Sequence, residues 1–138
     1  MIYRLIILIF FVALSPCLRA QDIASASLRW TCNQTTNLRD GSTSSYSCSF
    51  ITRGTDGIAW MQRSGQVTTN YAVTGTEGYW SDISNEGQFV YLLSRDGKPG
   101  RMVVQRTASG VTITLDFSES GPHHIKQQFR VSEVASQP

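Results

Sequence analysis

Gly110-Val111-Thr112-Ile113-Thr114-Leu115-Asp116-Phe117 is the run that decides the fold. Val111, Ile113, Leu115 and Phe117 fall at every second position, and Thr112, Thr114 and Asp116 fill the places between them. Side chains alternate across a β-strand with period two, so this is a strand with one face buried and the other wet.

The same alternation extends in both directions. Leu28, Trp30 and Cys32 alternate with Arg29 and Thr31, and Tyr46, Cys48 and Phe50 alternate with Ser45, Ser47 and Ser49. Further strands are expected at Ile58–Gln62 around Trp60, at Gln66–Val73 around Val67, Tyr71 and Val73, and at Arg101–Arg106 around Met102, Val103 and Val104. Tyr79–Ile83 reads as a short strand, and Ile125, Phe129 and Val131 mark a last one. Gln88–Ser94 is apolar on both faces, as a central strand would be. The breaks are turn dipeptides: Asp40-Gly41, Asp56-Gly57, Ser64-Gly65, Glu86-Gly87, Asp96-Gly97 and Ser109-Gly110. No sustained 3.6-residue period occurs between them. The expectation is an all-β antiparallel meander of about eight or nine short strands, forming a small barrel or a two-sheet sandwich.

Residues 1–20 have a different character. Arg4 is followed by ten residues, Leu5 to Leu14, without a polar side chain; Ser15-Pro16 interrupts the run, and Ala20 ends it on a small residue. That order is the order of a secretory signal peptide, and the run is too short to span a bilayer. Cleavage after Ala20 leaves one all-β domain at 21–138, with no transmembrane span and a secreted or periplasmic location. Leu14-Ser15-Pro16-Cys17 resembles a bacterial lipoprotein box, which makes a lipid anchor on Cys17 the minor alternative, although Pro16 departs from that pattern.

Without Arg4 and Arg19, the mature part has ten basic and ten acidic residues. Zero net charge argues against a nucleic-acid partner, whose phosphates demand a surplus of Lys and Arg. Two cysteines remain, Cys32 and Cys48, both on the apolar faces of their strands. An even pair in an oxidising compartment reads as a disulfide worth roughly 3 kcal/mol in the chain-entropy account.

Cys48 precedes Trp60 by twelve residues. This spacing resembles that between the second-strand cysteine and the core tryptophan of immunoglobulin domains, and implies an immunoglobulin-like sandwich as the alternative fold. The usual partner cysteine downstream is missing.

No motif for a catalytic, cofactor or metal site is present: there is no G-x-S-x-G elbow, H-E-x-x-H or P-loop. His123 and His124 are adjacent after Ser120-Gly121-Pro122, and neighbours on a strand point to opposite faces, so they suit a solvated turn better than a metal. Asn33-Gln34-Thr35 is a glycosylation sequon. Gly75–Asp82 gathers glycines, acids and two aromatics; Tyr79, Trp80 and Asp82 form the candidate ligand surface, suited to a glycan, peptide or lipid partner. The expected function is a secreted, non-catalytic binding or accessory module. A small hydrolase-like enzyme using His123 or His124, and a structural or envelope-associated protein, are the alternatives.

Overall fold

The computed structural model describes residues 22–121 and 124–137. The expected leader at 1–20, Cys17 and His123 lie outside the described residues. Eight antiparallel strands follow one another around a closed barrel: β1 (Ser27–Asn37), β2 (Thr43–Arg53), β3 (Ile58–Gln62), β4 (Val67–Glu77), β5 (Gly87–Arg95), β6 (Lys98–Thr107), β7 (Gly110–Asp116) and β8 (Lys126–Ser136). Each strand pairs with the next, and β8 returns to β1 from Leu28↔Ser136 to Asn37↔Gln127. That last pairing removes the edges a meander would otherwise expose. Among the described residues no helix is long and apolar enough to cross a membrane.

Closure into a barrel rules out both sandwich alternatives. Cys48 and Trp60 sit on neighbouring strands of one hairpin, Cys48 opposite Gln62 and Trp60 opposite Phe50, rather than across two packed sheets. Tyr79–Ile83 is not a strand: residues 78–86 form the connection between β4 and β5, so the count is eight. The two-faced apolar run in β5 does not mark a central strand, because a closed barrel has no centre or edge. Phe89, Tyr91 and Leu93 point inward, and Val90 lies buried between its register partners Glu77 and Val103.

The interior is filled by side chains, as eight strands allow. Phe50 stacks on Trp60 at 5.7 Å, and Phe129 meets both edge-on at 5.0 and 5.4 Å. Trp30 is wholly buried, and its indole N–H donates to the Thr52 hydroxyl at 3.0 Å, so that buried donor is paired.

Cys32 and Cys48 are direct register partners across β1 and β2. The expected juxtaposition is present; the expected bond is not. The two stand 4.3 Å apart as free thiols, about twice a disulfide's S–S length of roughly 2.05 Å. The neighbouring Cys48 sulfur, reinforced by burial, pushes the Cys32 thiol up. Cys48 is lowered by the adjacent Cys32 sulfur, against the burial that raises it, which makes it the more acidic of the two.

Candidate functional site

The two ends of the barrel differ. At one end the chain before β1 folds across the opening, with Ile23 fully buried and its N–H donating to the Trp80 carbonyl. The Tyr91 hydroxyl donates to the Ile23 carbonyl from below at 3.4 Å. Trp80 lies beside Ile23, 4% exposed, its indole N–H held by the Asn85 carbonyl at 3.1 Å. The Arg106 guanidinium donates to the Ile83 carbonyl and ties the 78–86 connection to the wall. This end is plugged.

The candidate surface named from the sequence lies here, and its members separate. Trp80 serves the plug and presents no open ring. Tyr79 is 76% exposed. Asp82 accepts from the Ser84 N–H and hydroxyl and from the Asn85 amide, and the Ser84 bonds hold its carboxyl below the usual range. That carboxylate is committed to its own turn. Asn33 of the sequon is exposed, where the register of β1 shifts against both neighbours.

The other end is concave among the described residues. A cavity of about 180 Å³ lies there, lined by Tyr71, Arg95, Lys98, Phe117, His124 and Ile125, with Asp96 at its rim. Its construction follows from strand parity. The inward row of β5 runs Phe89, Tyr91, Leu93 and ends on Arg95; that of β6 begins at Lys98 and continues through Gly100, Met102 and Val104; that of β7 ends just beyond the strand at Phe117. The apolar rows of the core therefore run out into charge at this mouth.

The β5–β6 turn sets the two cations opposite each other. Asp96 and Gly97 both have positive φ, 52° and 74°, the geometry of a two-residue hairpin whose twist matches the strands. Arg95 and Lys98 are consequently direct register partners. Phe117 and Tyr71 form the floor, ring centroids 5.5 Å apart. Phe117 can lie there because β6 carries Gly100 beneath it: a Cβ at that position would fall 2.4 Å from the ring.

Tyr71 is 3% exposed, and its hydroxyl has no hydrogen-bond partner among the described residues. Burial pushes the phenol up, opposed by the positive charge of Arg95 beside it. Arg95 contacts Asp96 only at 3.9 Å, and the Asp96 side chain is 89% exposed, so the rim carboxylate faces water and neutralises little inside.

His124 lines this mouth, and its backbone N–H donates to the Gly121 carbonyl. Among the described residues its imidazole meets no carboxylate in an ion pair, and no cluster of three metal-ligating side chains is assembled. A larger depression on the outer wall carries Glu77, Arg101, Asp116 and Glu119. Its charges are largely matched, Arg101 to Glu77 at 3.5 Å and Lys126 to Asp116 at 3.9 Å, leaving little to direct a ligand.

Sequence reasoning passed over Tyr71, Arg95, Lys98 and Phe117 as site residues. The available signal was the parity rule carried one step further, since an inward row that ends in a long cation marks a wet opening. Comparison with protein-family models, curated proteins and solved structures finds no match to this chain.

Proposed function

We propose that this chain is an exported, non-catalytic binding barrel whose ligand seat is the mouth floored by Tyr71 and Phe117. The observation that carries the reading is the contrast between the ends: one is stoppered by Ile23 and Trp80, while the other is left concave over a buried hydroxyl that has no partner among the described residues. An unpaired buried hydroxyl costs about 1–3 kcal/mol, which a binding partner would recover. Convergent polar groups over an apolar floor are the usual anatomy of a small-ligand site.

Export by residues 1–20 belongs to the same reading. In an oxidising compartment Cys32 and Cys48, already opposed, pass two electrons and two protons to a disulfide-donating oxidant and close into a bond across β1 and β2.

The test is a thermal-shift screen of the mature protein against glycans, peptides, lipids and small acids, because a ligand that prefers the folded state raises its melting temperature. A hit that Phe117→Leu abolishes and Tyr79→Ala leaves intact supports the mouth as the seat. A hit that survives Phe117→Leu and is lost in Tyr79→Ala moves the seat to the 78–86 connection and overturns the reading.

A further inference from the structure

We propose that the mouth recognises a small organic carboxylate: a compact acid whose apolar body lies against Tyr71 and Phe117 and whose anionic head sits between Arg95 and Lys98, within reach of the Tyr71 hydroxyl. The inference rests on the mouth being the ligand seat and names the chemistry it takes.

The first argument is a census of donors and acceptors. Guanidinium and ammonium groups donate and cannot accept. The Tyr71 proton has no acceptor among the described residues, and the Arg95 and Lys98 side chains that line the same cavity cannot supply one. Asp96 also lines the mouth, but its side chain is 89% exposed and approaches Arg95 only at 3.9 Å. The cavity thus presents more donors than acceptors, its accepting side chains being the largely exposed Asp96 and the imidazole of His124. A carboxylate supplies two oxygens with about four acceptor sites, and hydrogen bonds between ionised partners are roughly twice as strong as neutral ones.

The second argument is independent of the first and comes from the β5–β6 hairpin. Like charges placed directly opposite across an antiparallel pair destabilise it. Arg95 and Lys98 are such a pair, on the inward parity of their strands, at a two-residue turn. Lys98 makes no ion pair among the described residues, and Arg95 has only the long contact to Asp96. A bound anion between them reverses the sign of this interaction.

Size and wall chemistry narrow the class. A volume of about 180 Å³ is below the range of roughly 300–1,000 Å³ typical of drug-sized ligands. It suits one ring or a short branched chain, rather than a long acyl chain or an oligosaccharide. Two aromatic rings and Ile125 provide apolar wall for such a body.

The experiment is calorimetry with amide-resolved NMR on the mature protein at low salt, using benzoate, isovalerate and, as the neutral match to benzoate, benzamide. The expected result is binding of a carboxylate at least ten-fold tighter than benzamide, with amide shifts at Tyr71, Arg95 and Phe117. Lys98→Gln, which removes a like-charge opposition and should fold at least as well as the parent, is expected to weaken carboxylate binding by about ten-fold and leave benzamide unaffected. Benzamide binding at the mouth as tightly as benzoate overturns the carboxylate assignment and leaves the seat standing. Shifts mapping away from the mouth overturn both. No binding of benzoate or isovalerate at millimolar concentration overturns the assignment.

Discussion

Gly87→Ala tests the plugged end through a single methyl group. Gly87 opens β5 directly under the Trp80 indole, and a Cβ there would fall 2.3 Å from Cδ1, 2.4 Å from Nε1 and 2.7 Å from Cγ of that ring. Non-bonded carbons need about 3.5 Å, so something must move by roughly 1 Å. The strand is held by register pairing with Arg106, so the ring yields. Its departure costs the bond to Asn85, about 1 kcal/mol. A buried aromatic hides roughly 150–250 Å², and exposing about a third of that at ~25 cal/mol per Å² adds about 1.5 kcal/mol. The expected loss is about 2–3 kcal/mol, a fall in melting temperature on the order of 10 °C for a domain of this size. Urea unfolding followed by tryptophan fluorescence and circular dichroism measures it, with Trp80→Ala as the second corner of a double-mutant cycle. Once the indole is gone, Gly87→Ala should cost under about 0.5 kcal/mol, because its clash has no partner. An equal cost in both backgrounds would refute the reasoning, since the methyl would then be striking something other than Trp80.

Three further outcomes are expected. Tyr71→Phe should raise the unfolding free energy by about 1 kcal/mol, because it deletes a buried unpaired hydroxyl while keeping the ring, and should weaken carboxylate binding several-fold; a destabilised variant with unchanged affinity contradicts both roles. Burial holds the Tyr91 phenol up to about 12, against the nearby Thr52 hydroxyl, which lowers it. The unfolded chain, titrating near 10, sheds its proton first as pH rises, so stability present below pH 10 is lost progressively between about pH 10 and 12. That loss amounts to about 2–3 kcal/mol, and Tyr91→Phe should shrink it in denaturation curves taken across that window. Oxidised glutathione should remove two hydrogens from the mature protein by mass and raise its urea midpoint, by up to roughly 3 kcal/mol of stability, and Cys32→Ala/Cys48→Ala should show neither effect.

Much of the fold is legible in the residue pattern. The inward set of β7, Val111, Ile113 and Leu115, is buried with its polar neighbours outside, and Trp30, Trp60 and both cysteines take the inward positions their strands assign them. Tyr79–Ile83 is misread because Trp80 is buried by a connection, not a strand: local alternation cannot distinguish a ring packed between strands from one laid over the end of them. The disulfide is half legible, since parity places both sulfurs inside and register makes them opposite, while bond formation depends on an oxidant.

The site is far less legible. Tyr71, Arg95, Lys98 and Phe117 come from four different strands or their ends, and none carries a motif. Taken one at a time, an Arg at a strand end is an ordinary solvated cation.

Residue order alone determines which segments extend, which face of each is apolar, and where the chain turns, because these depend on neighbours one or two positions apart and on the conformational limits of turn residues. Only tertiary structure decides that β8 closes on β1, which end Trp80 and Ile23 stopper, and that two opposed cations border a cavity floored by a buried phenol at the other. Those outcomes depend on pairings between residues distant in the chain and on the stagger of strands around the barrel, and no local pattern encodes either.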